Sequence, residues 1–363
     1  MKKILALVLS IVLVFSMAAC GGETTTPEGQ GSTDNTESQT SENTESNNGE
    51  LTFMGVKTEP AKKAEARFSD LVVESSAGTL QVKSLTDETE ISDSDKLEKV
   101  ISGECDIAVG TCDAFTETLG DLYLFDMFGL FGSKDEVKAF LSGEAINTLK
   151  ASLEDSGLEL LGIWDKGFNQ MLLSEMPIRM PDDLQGLRIG TGLSEDALRL
   201  WSKTGADPSH AEGSDVLINL EEWAIDAYDG SVETMASLEA QNAGAYLVET
   251  AHSYTPYICV MNLEKFNSMT DVQKSAILDS MREVQMNSFS ESDAYESYLL
   301  SEFQKAGIEV IQLTDEEKTA FNEVLVTESA EKTIKKLMPH PEILDAAKEE
   351  LKALRESQVA DAQ

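Results

Sequence analysis

The sequence predicts an α/β protein built from two parallel-sheet units. Short apolar runs alternate with amphipathic stretches in a β-α-β-α-β order from residue 51, and the alternation returns after residue 158. In addition, the stretch from Thr270 onward is free of Pro and Gly until Gly307, long enough for a helix running along both units.

Taken in order, residues 51–56 read as a strand. Pro60 suits a first helical turn and opens a helix through about Ser75. Residues 80–85 alternate like a half-buried strand. Ser92 caps a helix whose Leu97, Val100 and Ile101 share one face, and Gly103 ends it. The run from Cys105 to Val109 is almost continuously apolar, as a strand covered on both faces is. In the second unit, 158–164 and 187–189 read as strands, 194–203 and 215–223 as helices, and 224–228 as a strand. Ligands in such sheets bind beyond the carboxyl ends of the strands. Thr270 and Gln273 give a capping-box signal. One unbroken helix from there would reach about 54 Å at 1.5 Å per residue and would set the orientation of the two units. The alternative is two helices joined by a polar break at 288–292.

The beginning of the chain has a different character. Lys2 and Lys3 precede an apolar run, 4–17, and then Ala18-Ala19-Cys20, the pattern of a secretory signal over 1–19. The run is shorter than the ~20 residues of a bilayer-spanning helix. Met17-Ala18-Ala19-Cys20-Gly21 resembles a bacterial lipobox, with Met17 where Leu is usual, and the resemblance implies lipidation of Cys20. Residues 20–50 are acidic and rich in Ser, Thr and Gly, with no aromatic residue and no Lys or Arg. Such a stretch cannot bury enough apolar surface to become ordered. It reads as a disordered tether with a mean reach of roughly 30 Å.

The formal net charge is -38, from 66 acidic and 28 basic residues. That balance speaks against nucleic acid and against an electrostatic grip on anionic lipid. With Cys20 set aside, Cys105, Cys112 and Cys259 remain, so a single bridge is open but unassigned. Cys105 lies in an apolar run and reads as a core thiol. His210, His252 and His340 show no metal-ligand spacing, and there is no CxxC, GxSxG elbow or phosphate loop. No metal or cofactor is expected.

Several stretches carry a family resemblance. The segment 177–189, with Pro177, Pro181, Asp183, Leu184, Gly186, Leu187 and Ile189, resembles a signature of solute receptors for tripartite ATP-independent periplasmic (TRAP) transporters, the DctP-like family. Around it, in the family's order, stand Gly103 with Asp106, Trp164 with Gly167-Phe168, Gly205-Ala206-Asp207-Pro208, Asp226-Ala227-Tyr228-Asp229, and His252-Ser253-Tyr254 with Asn262. The resemblance covers almost everything from Leu51 onward. It implies a two-lobed, periplasmic-binding-protein-like fold with hinge strands and a long helix spanning both lobes. Lobe one is expected over 51–167 and 256–295, and lobe two over 168–255 and 296–363. It further implies a monomer that is not an enzyme, held to the outer face of the cell membrane by its lipid. There it would trap a small molecule between its lobes and pass it to membrane permease subunits driven by a sodium gradient. An exported hydrolytic enzyme, or a sensory or adhesion protein on the same scaffold, is the alternative.

The departures from the family pattern concern the ligand. The family's carboxylate-pairing Arg is Gly190 here, its second basic position is Asn169, and Gly213 and Gly230 replace two further positions. Arg188 aligns with the family's Lys instead. Expected ligand contacts are Thr58 and Glu59 after the first strand, Thr111 and Asp113 after the third, and Asn169. To these are added Gly190 and Thr191, then Tyr228 and Asp229, with Asp229 foremost. Trp164 and Trp223 read as core. With its arginines gone and Asp229, Asp113 and Glu59 at the cleft, the expected solute is neutral polar or cationic. Lys57 is the side chain that could replace the lost cation.

Overall fold

A computed structural model describes residues 49–361 except Thr89. The signal segment, Cys20 and the tether up to residue 48 lie outside the described residues. Strand β1 (Gly49–Met54) starts two residues inside the expected tether, because Gly49 and Glu50 already pair with Leu80 and Gln81 of β2 (Leu80–Ser84). Helix α1 (Glu59–Ser75) joins them, with Thr58 as its N-cap residue and Pro60 in its first turn. Helix α2 (Asp93–Ile101) follows, and Ser92 Oγ accepts from the Asp95 amide at 3.0 Å. Leu97 and Val100 are buried as expected, whereas Ile101, the last helical residue, is exposed. The buried strand β3 (Ile107–Thr111) completes a parallel β2-β1-β3 sheet.

The later strands are β4 (Leu158–Leu173), β5 (Arg188–Thr191), β6 (Asp207–His210), β7 (Ala227–Ser231), β8 (Tyr246–Glu249), β9 (Tyr254–Asn262) and β10 (Glu309–Gln312). β5 pairs in parallel with β6 and β7, as the second α/β unit requires. Of the helix expected at 194–203, only Arg199–Ser202 is α-helical.

β4 is much longer than the strand expected at 158–164, and it links the two sheets. Its first part lies antiparallel to β9 in the first sheet, and its second part lies antiparallel to β7 and β8 in the second. Between the parts, Asp165 pairs with Pro256 and Phe168 with Tyr254. Lys166 and Gly167 therefore oppose Thr255 alone, which is a β-bulge. Gly167 takes φ +103° there, a region open mainly to glycine.

The helix Asp271–Lys305 is continuous over 35 residues, about 52 Å. Both arms of its capping box form: Gln273 N donates to Thr270 Oγ1 at 3.3 Å and Thr270 N to Gln273 Oε1 at 3.1 Å. Met281 and Val284 pack in the cluster that holds Trp164 and Phe53, and Leu299 and Phe303 in the one that holds Leu172 and Tyr228. The polar stretch near Ser288 does not break the helix. Ser288 Oγ accepts the Asp165 amide at 2.9 Å, so that hydroxyl receives the backbone of β4 beside its bulge.

The helix Glu342–Asp361 packs against Lys134–Phe140 and Ala145–Glu154. Cys105, Cys112 and Cys259 are all buried and free, so the open question of a bridge closes on three core thiols. Trp164 is buried and stacks on Phe53. Trp223 is not core: it is 48 % exposed, with φ 59°, just past the helix Asp215–Glu221. Among the described residues no helix is long and apolar enough to cross a membrane.

Candidate ligand-binding cleft

The carboxyl ends of β1 and β3, the ends of β5 and β7, and the β4 bulge converge on two adjoining cavities. The larger, about 370 Å³, is lined by Val56, Lys57, Thr58, Thr111, Glu212, Glu233, Leu238 and Tyr257 among others. The smaller, about 30 Å³, is lined by Asp126, Asn169, Thr191, Asp229 and Thr255 among others. Asp113, Lys166, Gly192, Tyr228 and Thr234 line both. A bigger cavity of 620 Å³ lies by the C-terminal helix, lined in part by Glu331, Lys348 and Arg355. These charges already have partners, Lys348 with Glu331 and Arg355 with Glu136. That cavity leaves no comparable call for a ligand.

Lys166 is the group the sequence reading missed. It is 8 % exposed, and its ammonium sits 5.4 Å from the Tyr257 ring centroid. Among the described residues no hydrogen-bond acceptor or carboxylate pairs with it. Glu233 on the cleft wall feels the Lys166 charge without a direct bond, and a cation so placed, largely buried and not directly paired, marks a candidate functional site.

Opposite it stand carboxyl groups. Asp113, just past β3, has a buried Oδ1 with no partner. Its Oδ2 would lie 2.9 Å from a Cβ at position 192, so Gly192 lets the two walls of the cleft meet there. Asp126 is also buried, with Oδ2 unpartnered. Burial raises its carboxyl well above the ordinary range, and the charges of Asp113 and Asp229 add to the rise. Glu233, on the helix Val232–Ser237, accepts from Tyr257 Oη. Burial pushes its carboxyl up, while the bond from Tyr257 holds it back.

Asp229 differs from the expectation. It is 2 % exposed, and both its oxygens are engaged by protein donors. His252 Nε2 donates to Oδ1 at 2.9 Å, and Trp201 Nε1 and Thr191 Oγ1 donate to Oδ2 at 2.8 and 3.0 Å. Phe128 packs against both the Trp201 and His252 rings. Asp229 thus ties β5, β7 and the segment before β9 together beneath the cleft, and its polar capacity is used within the protein.

Seven of the nine expected contact positions gather around the two cavities: Thr58, Thr111, Asp113, Asn169, Thr191, Tyr228 and Asp229. Two do not. Glu59 is exposed on the first turn of α1, where the helix dipole favours its charge, and it faces neither cavity. Gly190 would point a side chain into Ile225 and Ala211, with its Cβ 2.6 Å from Ile225 Cδ1, so that position faces core and not cleft. Asn169 binds Ser253 Oγ at 3.1 Å. Lys57 pairs with Glu90 outside the fold, so its charge is already partly answered.

Two sheets joined by a long strand and spanned by one helix, with a charged cleft at the strand ends, define a two-lobed solute-binding protein. Residues 54–336 match the family model DctP, "Bacterial extracellular solute-binding protein, family 7". The chain belongs to this family, the solute receptors of TRAP transporters. It is 27% identical over 286 residues to the 2,3-diketo-L-gulonate-binding periplasmic protein YiaO of Escherichia coli, covering 79% of this chain and 87% of that one. It is 24% identical over 263 residues to the C4-dicarboxylate-binding protein DctB of Bacillus subtilis, covering 71% and 74%. The fold matches a TRAP periplasmic solute binding protein of Ochrobactrum anthropi at TM-score 0.77 and 23% identity, over 86% of this chain and 97% of that chain. It also matches the sugar acid binding protein DctPAm of Advenella mimigardefordensis, solved with galactonate, at TM-score 0.71 and 22% identity, over 83% and 98%.

Proposed function

We propose that this chain is a lipid-anchored receptor on the outer face of the cell membrane. It captures a small organic solute between its lobes and delivers it to TRAP membrane permease subunits. The observation that carries this reading is Lys166, a buried cation with no directly bonded carboxylate among the described residues, at the junction of two cavities lined from both sheets. β4 and β9 act as the hinge, and the lobes part at the β4 bulge, between residues 167 and 168 and between 255 and 256. Thr58, Thr111, Asp113, Asn169, Thr191 and Tyr228 line the trap, and Asp229 holds its floor in place. Cys20 carries the lipid, and the segment after it lets the body search for its permease. The relatives named for diketogulonate and C4-dicarboxylates support a small, polar solute.

Two measurements test it. Scattering should show a smaller radius of gyration once a stabilising solute saturates the protein, as lobe closure demands. An unchanged radius at saturation sinks the two-lobed trap. Cys20→Ala should release the protein from the membrane fraction and remove the mass of the lipid. If it stays bound with its mass unshifted, Cys20 is not the anchor.

A further inference from the structure

We infer that the solute is a zwitterion of amino-acid type, its carboxylate on Lys166 and its ammonium between Asp113 and Asp126. This inference rests on the receptor reading and deepens it. Three groups meet at one small cavity with nothing in the protein to satisfy them. The Lys166 ammonium has the face of Tyr257 and the charge of Glu233 but no direct bond, and Asp113 Oδ1 and Asp126 Oδ2 are buried acceptors without donors. A cation with no directly bonded anion, beside acceptors lacking donors, asks for both signs of charge in one ligand.

The count of charges favours a zwitterion over a simple acid. Asp113, Asp126, Glu212, Asp229 and Glu233 all lie at the two cavities, and burial shifts Asp126 and Glu233 toward their neutral forms. Facing them, Lys166 is the one cationic side chain without a carboxylate partner among the described cavity residues, since Lys57 pairs with Glu90. A dicarboxylate or sugar acid would match Lys166 and then bring further acceptors against Asp113, whose Oδ1 is already a buried acceptor without a donor. Burial of unmatched like charge is what such a site rejects. A plain amine would satisfy the aspartates and leave Lys166 buried and unmatched. An ammonium beside a carboxylate answers all three groups with charge-assisted hydrogen bonds. The rest of the molecule would extend into the larger cavity, past Val56, Leu238 and Tyr257.

The test uses the full chain, freed of co-purified solute by reversible unfolding. Thermal shift and calorimetry are run with the twenty common L-amino acids, with succinate, D-glucuronate and D-galactonate, and with putrescine. At least one amino acid should stabilise the protein saturably, and the acids and the diamine should not. Lys166→Met and Asp113→Asn should each weaken that binding roughly 30-fold or more, the usual result of breaking a buried charge pair. Both variants should melt no lower than wild type without ligand, because each removes an unmatched buried group. Stabilisation by the acids or by putrescine without any amino acid overturns the inference and leaves the receptor reading standing. Full amino-acid affinity in Lys166→Met overturns it too. Silence across all three classes also overturns it. The receptor reading is then judged separately, by whether a native mass spectrum of protein from its own cells carries a non-covalent small molecule.

Discussion

Replacing Asp229 with alanine leaves two ring donors, His252 Nε2 and Trp201 Nε1, aimed into a space closed to water. Neither ring can turn to another acceptor without disturbing the Phe128–Trp201–His252 contact. Thr191 loses less, because its hydroxyl also accepts from the Leu193 amide at 3.3 Å and is free to rotate. A buried donor stripped of its acceptor costs about 1–3 kcal/mol. With two such donors the expected destabilisation is about 2–6 kcal/mol. Guanidinium unfolding followed by tryptophan fluorescence measures it, and Trp201 reports from inside the network. Asp113→Asn is the control, since Asp113 Oδ1 has no partner to lose. It should unfold within about 0.5 kcal/mol of wild type or later. If Asp229→Ala stays within about 1 kcal/mol of wild type, the three-donor network does not hold the floor of the cleft. Asp229 would then return as a ligand contact, as the sequence first suggested.

Two further outcomes follow from the structure. Burial pushes the Glu296 carboxyl up from 4.5 to about 7, against the pull of Lys134 at 4.0 Å and with help from Asp165, Glu249 and Asp293. The folded state then holds that proton more tightly than the unfolded chain does. Its contribution to stability is complete below about 4.5 and is lost as pH rises through about 7. That span corresponds to about 3 kcal/mol, and Glu296→Gln should flatten it; parallel stability–pH curves for the two proteins would refute the assignment. Gly190→Arg should fail to recreate the family's carboxylate clamp, because the new side chain starts 2.6 Å from Ile225 Cδ1. A loss of about 1–3 kcal/mol is expected from overpacking; succinate binding gained at unchanged stability would show that position 190 does reach the cleft.

Much of the fold was legible because it is written in local periodicity. The strands at 80–84 and 107–111, the Ser92 cap and the Thr270 box each depend on residues within a few positions of one another. What could not be read locally was the length of β4. Its second part, 165–173, mixes Asp165, Lys166, Asn169 and Gln170 with apolar residues and shows no clean alternation. It is a strand because β7, β8 and β9 pair with it, and that pairing is a tertiary fact. Ser288 shows the same limit from the other side. In sequence it marked only the alternative break at 288–292; its hydroxyl binds the Asp165 amide beside the bulge, and the expected helix runs through unbroken.

The site divides along the same line. Loops after strands could be located because sheet topology fixes where they gather, and Thr58, Thr111, Asp113 and Thr191 line the cavities. The expectation of a neutral or cationic solute rested on two absent arginines, and one of those positions does not face the cleft. Position 190 faces Ile225, so its missing cation says nothing about the cavity. The buried cation of the cavities, Lys166, lies between the Trp164 and Gly167 of the family-like motif, at a position whose direction no period-two rule gives. Asp165 points away to Lys134, with Oδ2 2.6 Å from that ammonium. Strict alternation would then send Lys166 to the face of Trp164. The bulge adds one residue against Thr255 and lets the Lys166 side chain line both cavities. Bulges beside binding sites re-aim side chains in this way. One inserted residue in one strand thus places the Lys166 side chain at both cavities.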